Sequence, residues 1–166
     1  MNHFALMARF NEWVNARLYA SAAELSNEDY RRDRKAFFGS ILNTLNHLLV
    51  VDRLWTGRIR GIDHGITSLE QILYDDFAAL GAARVQEDRD LIAYVDGLDD
   101  DGLRETVTYK RTKGVQEHTT RRDHILLTLY NHQTHHRGQV HTMLTQAGVT
   151  PPALDVIYFL ADLNQD

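Results

Sequence analysis

The chain has 166 residues, 43% of them apolar and 25% charged, with a formal net charge of -5 and no cysteine. That length fits one domain, residues 1–166, able to bury a core without staples. The missing cysteines exclude disulfides, thiolate metal sites and a cysteine nucleophile, and the scattered Lys and Arg residues lack the concentrated basic face that nucleic-acid binding needs.

The N-terminus, Met1-Asn2-His3-Phe4, lacks the basic region and apolar core of a signal peptide. No apolar run approaches the ~18 residues of a membrane span, so the expected location is the cytoplasm. Phe4, Met7, Phe10, Val14, Leu18 and Ala22 recur at spacings of three and four, which predicts an amphipathic helix over 2–24. Ser26 to Asp29 read as a loop, and the basic run Arg31-Arg32-Asp33-Arg34-Lys35 reads as a solvated turn. A second helix is predicted over 40–59. Its apolar residues (Ile41, Leu42, Leu45, Leu48, Leu49, Val50, Val51, Leu54, Trp55) go most of the way round, as expected of a central element. His47 therefore sits in a buried helix.

Ser68-Leu69-Glu70-Gln71 fits a capping box, and a long helical stretch is predicted over 68–98, with a break near Tyr74. Glu105 to Tyr109 resembles a short strand, Lys113-Gly114 a turn and Val115 to Thr119 its return, a small hairpin or ordered loop over 105–119. A further helix is expected over 121–146, capped by Thr120 and stopped by Gly148. A short helix over 153–163 follows Pro151-Pro152. Four long helices, one buried all round, predict an all-α four-helix bundle, an architecture that builds metal sites from inward side chains.

Nine histidines are many for this length. His132 and His136 are four apart, so they lie about 40° apart on a helix and can turn two imidazoles toward one ion. Ile125, Leu129, Gln139 and Met143 share that face, whereas His135 lies to its side and His141 opposite. The buried His47 offers a third imidazole, and three histidines leave coordination positions open, as a catalytic site requires. Asn43, Thr44, Thr128 and Gln139 are either groups that hold the second ring nitrogens or residues engaged in helix packing and local hydrogen bonds. His124, His135 or a carboxylate are the candidates to close the sphere. Asp52 and Arg137 are expected to face away from the ion, and Tyr109 is either an ordinary strand aromatic or a residue reaching over the bundle end. The residue after His132 is Gln133, where a zincin-type peptidase places its glutamate base.

Two segments, residues 39–55 around Asn46-His47-Leu48 and residues 131–141 around His132-Gln133-Thr134-His135-His136-Arg137-Gly138-Gln139, together with Gly148 and Pro151-Pro152, resemble the signatures of the DinB family of DinB/YfiT-like metalloenzymes. The resemblance runs over nearly the whole chain. It implies an up-down-down-up bundle and one divalent transition-metal ion per chain on His47, His132 and His136. Nickel or zinc is expected before iron or copper. It also implies a homodimer, for which Trp13 and Trp55 are either exposed candidates or core residues, and a small-molecule substrate with a water nucleophile (hydrolase) or a low-molecular-weight thiol (transferase). A non-catalytic metal-binding or stress-response protein with a structural ion is the alternative. The damage-inducible role in the family's name has no DNA-binding counterpart in the charge pattern. Catalytic residues beyond the ligands are not assigned.

Overall fold

A computed structural model describes residues 2–111 and 114–164. The long helices are α1 (His3–Ala22), α3 (Ile41–Arg60), α4 (Phe77–Asp96) and α6 (Arg122–Gln146). Shorter elements are α2 (Asn27–Arg31), α5 (Asp100–Arg104), strands β1 (Thr106–Lys110) and β2 (Glu117–Arg121), and α7 (Val156–Leu163). Three long helices start at side-chain caps that satisfy a free backbone N–H. Asn2 accepts from Ala5, Ser40 from Asn43 and Asp76 from Ala79. The predicted cap Thr120 lies in β2, and α6 instead starts without a side-chain cap, where the Arg122 N–H donates to the Glu105 carbonyl at the hairpin base. The predicted loop at 26–29 is largely a short helix capped by Ser26. The C-terminal helix starts at Val156 rather than 153, beyond the two prolines.

Cross-helix contacts fix the directions. Arg9 meets Asp96 and Asn15 meets Asp88, so α1 and α4 run antiparallel. Asp52 meets Arg84 and Thr56 meets Glu87, so α3 and α4 run parallel. Tyr130 donates to Phe4 and Arg137 to Asn11, which makes α1 and α6 parallel. The four long helices are therefore up, down, down, up.

This topology explains the main departure from the sequence reading. No helix starts at Ser68: residues 62–76 form an irregular strap, and α4 begins at Phe77. Parallel α3 and α4 require the chain to climb back the length of a helix, about 30 Å for 20 residues. Residues 61–76 coiled as a helix would rise only about 24 Å, whereas extended chain of that length covers about 50 Å. The Ser68 hydroxyl accepts from Glu70 and the Gln71 side chain from Thr67, which are turn contacts of the strap. The strap is seated tightly at its start, where a side chain at Gly57 would place its Cβ 2.4 Å from the Ile62 carbonyl oxygen. Only glycine admits that approach.

β1 and β2 pair antiparallel, Thr106 opposite Arg121 and Lys110 opposite Glu117, one or two residues beyond the predicted hairpin. Lys113 of the predicted turn lies outside the described residues.

The core is layered. One apolar cluster holds Leu18, Leu45, Leu49, Leu80 and Leu144, and another holds Ala5, Ile59, Leu91, Leu126 and Leu129. Between them lies a belt of buried polar side chains from all four long helices: Asn11, Asn15, Asp52, Thr56, Arg84, Glu87, Asp88, Gln133 and Arg137. Arg84 anchors it, 2.6 Å from Asp52 and 2.9 Å from Asp88, with 2% and 0% of the Arg84 and Asp52 side chains exposed. Asn11 and Asn15 donate to Asp88, Gln133 donates to Asp52, and Arg137 donates to Asn11. Burial pushes the Asp52 carboxyl up to about 6, offset in part by Arg84 and Gln133. Asp52 and Arg137, expected to face away from the histidines, are thus members of an interior ion network.

Candidate metal centre

α3 and α6 pack side by side and antiparallel, which brings His47 level with His132 and His136. Nitrogens of these three residues all lie within 4.8 Å of one another, and they form the group suited to a metal ion among the described residues. The Nε2 atoms of His47 and His132 are 3.0 Å apart. Adjacent ligands on an ion with bonds of about 2.1 Å are separated by about 3.0–3.4 Å, so the pair already stands at nearly the spacing an ion requires.

The second ring nitrogens show how the rings are held. His47 Nδ1 donates to the Leu69 carbonyl at 2.8 Å, and His136 Nδ1 lies 2.8 Å from Gln139 Oε1. Each contact places a proton on Nδ1 and leaves the Nε2 lone pair free for an ion, the usual arrangement of ligating histidines. Gln139 is one of the four expected orienting groups. Asn43 donates to the Phe38 carbonyl, Thr44 to the Ser40 carbonyl and Thr128 to the His124 carbonyl, so these three make local helix contacts.

The Leu69 carbonyl was not foreseen, because the sequence placed Leu69 in a helix. Asn46 is the residue that makes this contact possible. Its Oδ1 accepts from the N–H groups of Leu73 and Tyr74, and its Nδ2 donates to Leu42 and Tyr74 carbonyls, so it clamps the strap against α3 one residue before His47. Phe38 was also missed. Its ring stacks on His47 at 3.9 Å between centroids and lies 5.4 Å from His136.

His47 and His136 are buried and His132 half-buried. Burial lowers all three imidazoles. His47 falls to about 4 and His132 to about 3, the latter with added repulsion from His136 and His47, and His136 moves down with the Gln139 contact opposing. The triad is therefore neutral at pH 7, the form that ligates a metal. His132 Nδ1 is buried with no hydrogen-bond partner among the described residues. His135 is exposed with its ring 4.7 Å from His136, His124 is exposed beside Asp123, and neither these two nor His141 joins the group. Tyr109 packs edge-to-face on Trp55 at the hairpin end of the bundle.

The family model described as DinB family matches residues 1–164. The chain belongs to the DinB family. Protein DinB of Bacillus subtilis (strain 168) is 25% identical over 170 residues, covering 96% of this chain and 95% of that protein. The solved structure of a DinB-like protein from Bacillus cereus ATCC 10987 has the same fold, with a TM-score of 0.65 at 18% identity, covering 85% of this chain and 90% of that one. The DinB-family fold and the buried histidine cluster compatible with a metal thus coincide in one chain. Among the described residues no helix is long and apolar enough to cross a membrane.

Proposed function

We propose that this DinB-family chain is a metal-dependent enzyme, a hydrolase or a small-thiol-dependent transferase acting on a small molecule. His47, His132 and His136 would hold one divalent transition-metal ion, with nickel or zinc favoured by the imidazole donors over the harder cations. The observation that carries this reading is the convergence of three neutral imidazoles with no carboxylate or fourth histidine joining them among the described residues. A three-ligand set leaves positions for water or substrate, whereas structural sites close with four protein ligands. When bound, such an ion lowers the pKa of a coordinated water or thiol and so supplies a nucleophile near neutral pH. The protein's own part is to orient the rings through Leu69 and Gln139 and to shield His47 with Phe38.

Apolar side chains border the groups that hold His47, Phe37 packed on Phe38 and Leu69 on the strap, 81% and 43% exposed, which supports a substrate with an apolar portion. A homodimer belongs to the same proposal. Trp13 and Trp55 are half-buried against Phe159 and Tyr109, which agrees better with the core reading of these two residues than with the exposed one. The groove between α1 and α4, about 830 Å³ and lined by Trp13, Tyr19, Phe77 and Val85, is the better-placed surface. A cytoplasmic location completes the reading.

Elemental analysis of the purified chain should find about one transition-metal ion per chain, and His132→Ala should remove it. A metal-free wild type, or a His132→Ala variant with full metal content, refutes the centre. Cobalt substitution then separates the chemistries. A thiolate charge-transfer band on adding a small thiol supports the transferase, and an exchangeable water without that band supports the hydrolase. A sphere closed by four protein ligands refutes both and supports a structural ion.

A further inference from the structure

A second concave site lies along α3 from the triad. His47, Val51, Leu54 and Arg58 recur at spacings of four, three and four, so they share one face of the helix, with Arg58 about 16 Å of helix rise beyond His47. The strap follows the same helix, from Ile62 against Gly57 to Leu69 at His47. Near the strap's start and β1 opens a cavity of about 320 Å³, lined among others by Arg53, Leu54, Arg58, His64, Thr108 and Tyr109.

Arg58 is fixed there. Its guanidinium lies 4.5 Å from the Trp55 ring centroid and 4.6 Å from that of Tyr109, and its Nη2 donates to the Lys110 carbonyl at 2.9 Å. It is half-buried yet pairs with no carboxylate among the described residues. The other buried or half-buried arginines (Arg9, Arg17, Arg34, Arg53, Arg84, Arg122 and Arg137) each reach an Asp, Glu or Asn side chain. A guanidinium has five N–H donors, and Arg58 gives one of them to a protein acceptor. Docking the hairpin accounts for that one bond and for the two ring faces, and leaves the remaining fork without an acceptor among the described residues. Asp63 also lines the cavity, but its Oδ1 accepts from the Gly65 N–H in its own turn.

We propose that this cavity is an anion subsite, in which the Arg58 fork receives a carboxylate or phosphate group. A pre-oriented guanidinium loses little freedom on binding and matches the planar or tetrahedral oxygens of such groups in bidentate fashion. Resting on the reading of the triad as an active centre, the subsite holds the anionic end of the small molecule whose other end reaches the metal. Anion binding itself does not need the ion.

The test is titration of the full-length, nitrogen-15-labelled protein, wild type and His132→Ala, with inorganic phosphate, pyrophosphate and acetate at constant ionic strength. Saturable shifts of the Trp55 indole N–H and Arg58 Nε–H are expected, with the Trp13 indole N–H unmoved. Arg58→Met should weaken binding at least about tenfold. Arg58→Lys keeps the charge and loses the fork, and should also bind more weakly. Preference for the phosphates identifies a phosphoryl group, and preference for acetate identifies a carboxylate. Because the readout persists in His132→Ala, loss of the metal reading and loss of this one are distinguishable. Shifts that are linear in anion and equal at both tryptophans overturn the proposal, as does full affinity in Arg58→Lys.

Discussion

Replacing Arg84 by Met removes the cation that two buried carboxylates share while keeping most of the side-chain volume. Asp52 loses a partner at 2.6 Å and Asp88 one at 2.9 Å, in an environment where neither reaches water. Breaking a buried pair from one side costs about 3–5 kcal/mol, because the surviving charge stays desolvated. Against a total stability of about 5–15 kcal/mol that is a large fraction. At about 2–4 °C per kcal/mol for a chain of this size, the melting temperature should fall by roughly 6–20 °C. The loss depends on pH in a definite direction. Burial already holds the Asp52 carboxyl near 6, above its unfolded range, and removing Arg84 raises it further. A folded-state pKa above the unfolded one favours folding at low pH and loses that contribution as pH rises. The penalty of Arg84→Met should thus be greatest above pH 6 and shrink toward pH 4–5. Urea denaturation of wild type, Arg84→Met, Asp52→Asn and the double variant at pH 5 and 7.5 gives the cycle. Asp52→Asn should recover part of the loss in the Arg84→Met background, a coupling of about 1 kcal/mol or more. Additive effects, or an Arg84→Met penalty below about 1 kcal/mol at pH 7.5, would refute the picture of a tightly held interior ion pair.

Other expectations follow from the histidine centre. Its imidazoles stay neutral well below the ordinary histidine range, with His47 near 4 and His132 near 3, so protons should not displace a bound ion until about pH 5 or lower. Dialysis between pH 4 and 7 followed by elemental analysis checks this, and release centred near pH 6.5 would contradict it. The same lowering makes the metal-free chain less stable as pH falls below about 6.5, because the unfolded histidines take up protons first. Gln139→Ala removes the acceptor for His136 Nδ1 and should weaken metal affinity about 10–100-fold with little change in fold, read by competition with a chromophoric chelator. Asn46→Ala releases the strap by deleting three hydrogen bonds to it at once, and should lower both stability and metal affinity; protease cleavage within 62–76 is the direct readout.

The helices that carry the site were legible because their signal is local. The three-and-four spacing of Phe4 to Ala22, the all-round apolar segment containing His47 and the i, i+4 pair His132/His136 each reflect the geometry of a single helix, which a chain segment sets by itself. Helical phase also separates His132 and His136 from His135 and His141, and in the structure it is the first two that cluster with His47. The third histidine rested on burial and family resemblance, and its placement level with the pair depends on how α3 slides against α6. Such register is decided by packing between helices and is invisible within either one.

The strap is the opposite case. Ser68 to Gln71 satisfies a helix-start pattern, yet α3 and α4 run parallel and the connection must traverse the bundle, so the global path overrides the local preference. From that override come the Leu69 carbonyl on His47 and the Asn46 clamp. The polar belt was hidden for a related reason. Asp52, Arg84, Asp88 and Arg137 look in sequence like ordinary surface charges, and only mutual pairing across four helices makes their burial tolerable. Single-helix periodicity thus placed the three histidines on inward faces, while the long-range pairing of helices set which faces meet, what orients the rings and which charges the interior contains.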